Sequence, residues 1–159
     1  MDPRKRVPIR GRAAVTLGLA AALTTVAGLA AAPASAGTNC EGGYHCVFYF
    51  DFSSAKHGYF TGDPDFSNDT FNQGGSSGRG TGVNNNAWAA SNSSTGGYYS
   101  LYYYNTGRTG PLVFCVRPGS QVGREQLSTN NVAGDGIGQR DEASSLELRD
   151  SGWIPGGCF

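Results

Sequence analysis

Several groups of residues carry side chains that could do chemistry. The stretch "GDPDFSNDTF" at 62–71 places Asp63, Asp65 and Asp69 within seven residues. It fails as an EF-hand: Pro64 interrupts it, Asn68 stands where the loop needs glycine, and Gly74 replaces the closing glutamate. A turn whose Asp and Asn side chains bond their own backbone is the reading it supports. The 2 histidines, His45 and His57, accompany neither a His-Glu-x-x-His nor a Gly-x-Ser-x-Gly pattern. A Ser-His-Asp set or a carboxylate pair assembles from distant positions and leaves no local trace, so catalysis has no handle here and the expectation is a protein that is not an enzyme.

The 4 cysteines are Cys40, Cys46, Cys115 and Cys158. No Cys-x-x-Cys occurs, which argues against zinc. An even count in an exported chain reads as two disulfides. Three pairings are open. Cys40 and Cys46 enclose only "EGGYH", so local pairing is easy, and it would leave Cys115 for Cys158.

Export is expected from the first residues. A basic head (Arg4, Lys5, Arg6, Arg10, Arg12) precedes the uncharged run Ala13 to Ala31 and the small-x-small site Ala34-Ser35-Ala36. This reads as a secretory signal peptide over 1–36, with a single domain over 37–159. A membrane anchor is the competing reading of the run, but its Ala and Thr content is only mildly apolar and the cleavage site follows directly. Of the 12 Lys and Arg, the leader takes five; of the 12 Asp and Glu it takes Asp2, which leaves the exported part at −4. Nothing basic remains to neutralise phosphates, so nucleic acid is not an expected partner. The exported protein is expected to be a monomer that leaves the membrane after cleavage.

The elements that position these residues are strands. Short aromatic runs, "CVFYF" at 46–50, "YYSLYYY" at 98–104, "PLVFCV" at 111–116 and "SLELR" at 145–149, stand between clusters of Gly, Asn, Ser and Thr, which is the all-β signal. "GGSSGRGTG" at 74–82 reads as a flexible loop and "NSSTGG" at 92–97 as a hinge between halves. Those halves are alike. Val47 to Asp51 matches Leu101 to Asn105 at an offset of 54, and Asn85 to Ala90 meets Arg140 to Ser145 at an offset of 55. In "RDEASSLEL", Leu146 and Leu148 have strand spacing, so Ser144 and Ser145 sit at the mouth of a strand where a tight loop must be pinned.

The Asp-x-x-Ser-Ser loop before a strand, with an aromatic hairpin some 40 residues earlier, resembles the βγ-crystallin Greek key. Together with "CEGGYHCVFYFD" and "CVRPGSQV", it is similar to the small secreted actinobacterial peptidase inhibitors of that fold, among them a metalloproteinase inhibitor. The resemblance covers most of residues 40–149. It implies two Greek keys, about 46–92 and 98–149, packed as a disulfide-stapled sandwich, and a secreted inhibitor of extracellular proteases, above all metalloendopeptidases. It implies an inhibitory loop at Cys115, Val116, Arg117 and Pro118, with Val116 entering an apolar pocket of the enzyme. It also implies calcium loops at Asn85, Asn86, Asp141 and Ser144. Arg140 stands at a ligand position there, and Ala89 and Ala90 replace both hydroxyls of the first loop, so calcium affinity is expected to be weak or absent and no cofactor is required. The alternative is a non-inhibitory crystallin-like structural or envelope-associated module.

Overall fold

The computed structural model describes residues 37, 39–127, 137–152, 154 and 156–159. The leader at 1–36 lies outside the described residues. Among those described there is no α-helix, and none is long and apolar enough to cross a membrane. The strands run β1 (His45–Phe48), β2 (Ala55–Tyr59), β3 (Gln73–Gly74), β4 (Ala89–Asn92), β5 (Tyr99–Asn105), β6 (Thr109–Val116), β7 (Gln121–Val122) and β8 (Ser145–Arg149). They form two antiparallel sheets, one ordered β3-β2-β1-β4-β7 and the other β6-β5-β8.

The two sheets share one core. Val47 of β1, Tyr102 of β5, Phe114 of β6 and Leu146 of β8 meet there, and the Tyr102 and Phe114 rings stack at 4.3 Å. Side chains alternate along a strand, so the residues between these point outward. Those outward residues are buried too. Cys46, Phe48 and Ala89 form a second cluster beside Cys40, and Leu101, Cys115 and Cys158 form a third. Both faces are covered, which is why "CVFYF" reads as an unbroken apolar run rather than an alternating one.

The disulfides are Cys40–Cys46 and Cys115–Cys158, and they sit in these two outer clusters. The second spans 43 residues. On a chain-entropy basis it restrains the unfolded state by roughly 4 kcal/mol, against roughly 2 kcal/mol for the short one.

Four strands were not legible as apolar runs: β2, β3, β4 and β7, whose sequences are AKHGY, QG, AASN and QV. Two loop expectations also change. The segment 74–82 is folded back on the domain: the Phe71 N–H donates to Thr81 O, the Gly80 N–H donates to Phe71 O, and Arg79 donates to Asn72 O and Gly74 O. A side chain at Gly78 would strike the Tyr49 ring, with its Cβ 2.1 Å from Cγ. The segment 92–97 opens on a buried anchor. Asn92 donates to Tyr98 O at 2.8 Å and Val116 O at 3.0 Å, and Ser93 donates to Gly37 O and Cys40 O.

His45 lies in this interior, 2 % exposed. Burial disfavours the imidazolium and lowers its pKa to about 4. The native value lies below the unfolded one, so on acidification the unfolded chain takes up the proton first. Stability is therefore lost as pH falls from about 6.5 towards about 4, by up to about 3 kcal/mol. Urea midpoints at pH 7 and pH 4.5 should show this loss, and His45→Asn should flatten the dependence across that window. An unchanged slope in the variant would contradict the assignment.

Candidate functional site

The two Asn/Asp loops come together. Asn85 and Asp141 both take left-handed backbone, with φ of 55° and 68°, a region that Asn and Asp enter more readily than other non-glycine residues. The Asn85 N–H donates to Ala143 O and the Asp141 N–H to Ala87 O, each at 3.0 Å. Residues 85 and 87 of one loop thus exchange bonds with 141 and 143 of the other, an offset of 56.

The hairpins show the same shift. His45, Val47 and Phe48 pair with Asn92, Ala90 and Ala89, while Ser100, Tyr102 and Tyr103 pair with Leu148, Leu146 and Ser145. This matches β1 to β5 at 55 and β4 to β8 at 56. The expected offsets of 54 and 55 are each one residue short. In a strand one residue reverses the face: an offset of 54 would set Val47, which lies in the shared core, against Leu101, which lies in an outer cluster.

The loop side chains are occupied by one another. Trp88 Nε1–H donates to Asp141 Oδ1 at 3.0 Å, Ser144 Oγ donates to Asn85 Oδ1 at 3.1 Å, and Asn86 donates to Gly82 O and Asn84 O. Burial raises the Asp141 pKa, opposed by the Trp88 bond and the nearby Arg140 charge. The Arg140 guanidinium lies 4.6 Å from the centre of the Trp88 ring and donates to Arg124 O. Among the described residues no group of three His, Cys, Asp or Glu side chains is placed to hold a metal ion. Asn85 and Asp141 are explained by backbone conformation and by the exchange.

Ser145 has a separate task. Its Oγ donates to Asn105 O at 2.7 Å and accepts from the Arg108 N–H at 3.1 Å, which pins the β5–β6 hairpin tip to β8. Arg108 also takes left-handed backbone, φ 59°, and its Nε–H donates to Leu146 O. In the first half the matching residue is Ala89. There the β1–β2 tip pins itself: Ser54 Oγ accepts from the Phe50 and Asp51 N–H groups, and Asp51 Oδ1 accepts from Ser53 and Ser54. The Ser53 bonds hold the Asp51 pKa below its ordinary value. The sequence reading missed Asp51 and Ser54, although Asp-x-Ser-Ser after an aromatic strand is a local turn signature.

The segment 115–118 divides between interior and surface. Cys115 is in the disulfide to Cys158, and Val116 is fully buried in the shared core. Val116 therefore cannot enter an enzyme's pocket while the domain stays folded, which corrects the role the resemblance gave it. Arg117 is exposed and Pro118 half-buried. The turn they begin is clamped from several sides. Arg117 N–H donates to Phe159 O at 2.8 Å, Phe159 N–H to Cys115 O, Gly119 N–H to Asn92 O and Ser120 N–H to Arg117 O. The distant partner Cys158 brings the chain end alongside, so the turn is braced without a nearby cysteine.

The acids at 62–71 serve local structure. Asp63 accepts from the Asp65 N–H, Asp65 caps the short 3₁₀ turn Phe66–Asn68 through the Ser67 N–H, and Asp69 accepts from the Tyr59 hydroxyl at 2.9 Å. His57 bonds Thr70 O through Nδ1 and lies 3.9 Å from Asp69.

Ser145→Ala removes a buried hydroxyl and its two hydrogen bonds, to Asn105 O and from the Arg108 N–H, each worth about 0.5–1.5 kcal/mol, so it should cost about 1–3 kcal/mol of unfolding free energy. Ser53→Ala, at an exposed tip, should stay within about 0.5 kcal/mol. Paired urea titrations check the contrast, and equal effects would contradict it. Compared with protein-family models, with curated proteins and with solved structures, the chain has no match in any of the three.

Proposed function

We propose that this chain is a secreted protein inhibitor of extracellular proteases, built on two Greek keys of the βγ-crystallin kind. Strand exchange supports the architecture. β7, from the second half, pairs with β4 of the first at Ala90 and Val122, and Asp63, from the first half, bridges Leu146 on β8. Each half thus lends a segment to the other's sheet at matching positions. The two disulfides support an extracellular setting.

The observation that carries the inhibitory reading is the clamped turn at 117–120. Its backbone is tied to the chain end and to Asn92, and Cys115 at its entry is cross-linked to Cys158. A loop held in one shape loses little ordering entropy on docking, which is the property an inhibitor needs. Metalloendopeptidases are the target class that the resemblance implies. With Val116 buried and Arg117 exposed, the contact we assign is Arg117, which also fits a protease with an acidic pocket. The burial of Val116 favours a second reading, a crystallin-like structural or envelope-associated module without inhibitory activity.

Titration of the protein against a thermolysin-like, a subtilisin-like and a trypsin-like protease separates the two. The inhibitor reading expects stoichiometric loss of activity in at least one. Arg117→Glu should then weaken inhibition about tenfold or more, equal to about 1.4 kcal/mol. Full activity of all three enzymes beside intact protein would favour the structural module.

A further inference from the structure

A cavity of about 380 Å³ opens between the halves, away from the clamped turn, lined by His45, Phe60, Thr61, Ser94, Tyr98 and Leu148 among others. Its size lies in the range of small-molecule sites. Among the described residues that line it there is no Lys, Arg, Asp or Glu, so an ionised ligand would lose hydration without gaining a counter-charge from them. Phe60 and Tyr98 at the rim are 67 % and 46 % exposed. Apolar rings left this open are uncommon on a small domain whose other large aromatics are mostly covered.

His45 gives the cavity a specific polar group. The residue is 2 % exposed, yet it lines the cavity. Nδ1 is bonded to Ser100 Oγ at 2.7 Å, and Nε2 has no hydrogen-bond partner among the described residues. The buried hydroxyls beside Nδ1 favour one tautomer. Ser100 is fully buried and has His45 as its hydrogen-bond partner. Tyr102 is fully buried as well, and its hydroxyl, which has no hydrogen-bond partner, lies near the Ser100 side chain. A proton on Nδ1 would point at Ser100 and force its hydroxyl hydrogen towards Tyr102, leaving the Tyr102 hydrogen without an acceptor. With Nδ1 bare, Ser100 donates to Nδ1 and Tyr102 is free to donate to Ser100. That arrangement leaves the remaining proton on Nε2. Burial keeps the ring neutral at physiological pH.

We infer that this cavity is a binding site for a neutral aromatic small molecule carrying a hydrogen-bond acceptor, with the ring against Phe60 and Tyr98 and the acceptor on His45 Nε2–H. The site is independent of protease inhibition and uses none of the residues of the clamped turn. Ser100 acts as a positioning residue, because its hydroxyl fixes which nitrogen donates.

The test is a titration of ¹⁵N-labelled protein with acetophenone and with α-methylstyrene, which has the same shape but carries =CH₂ in place of the carbonyl oxygen. Saturable shifts should centre on His45, Phe60 and Tyr98, the His45 nitrogens should report the Nε2–H tautomer, and acetophenone should bind about fivefold tighter, the worth of one hydrogen bond of about 1 kcal/mol. His45→Phe should abolish that preference. Phe60→Ala, at an exposed position that does not endanger folding, should weaken both probes while keeping their ratio. No saturable shift at these residues, equal affinity for the two probes, or an Nδ1–H tautomer would each overturn the proposal. The probe ratio and the tautomer are read on the unsubstituted protein, so the outcome does not depend on the His45 variant folding.

Discussion

Each sheet of this domain ends against a segment supplied by the other half of the chain, and the left-handed residues Asn85 and Asp141 lock that arrangement by bonding to Ala143 and Ala87. An edge strand left unpaired exposes a row of backbone donors and acceptors. Here β4 is closed by β7 and β8 is met by Asp63. Neither half could satisfy both its edge and its inner apolar face alone, so the halves are coupled through hydrogen bonds as well as through the shared core around Tyr102 and Phe114.

The same constraint explains why residues that look like ligands do other work. Asn85 and Asp141 enter a backbone region that most residues avoid, and their side chains accept bonds from Ser144 and Trp88. Ser145 holds the hairpin tip that carries the left-handed Arg108. In the first half, where Ala89 has no hydroxyl, the Asp51–Ser54 turn does this task within its own hairpin. One architecture thus uses two different solutions to the same unsatisfied backbone groups. The clamped 117–120 turn depends on it too, because its anchor Asn92 ends β4, the strand that the exchange closes.

Much of the architecture was legible in the sequence, for physical reasons that can be traced. The aromatic and apolar runs marked β1, β5 and β6 because each buries residues on both faces, and the Leu146/Leu148 alternation marked β8. The cysteine pairing was left open among three, with the few residues between Cys40 and Cys46 making the observed one easy. β2, β4 and β7 were hidden because small or polar residues such as Ala89, Ala90, Ser91 and Lys56 pack there against larger partners, and such segments carry no hydrophobic period. The repeat was visible but its register was not: matching aromatic letters aligned Val47 with Leu101, whereas pairing aligns it with Tyr102. Val116 was legible as apolar, which suits a core strand as well as an exposed contact, and its burial decides for the core. The His45–Ser100 pair joins residues 55 positions apart, and no local pattern announces it.

Native-state hydrogen exchange tests most directly whether the halves form one cooperative unit. The amides of Asn85, Asp141 and Leu146, which donate across the halves, should open with the same free energy and denaturant dependence as the core amides of β1 and β5. Exchange of one half's amides through a smaller, separate opening while the other half stays protected would contradict the reciprocal lock.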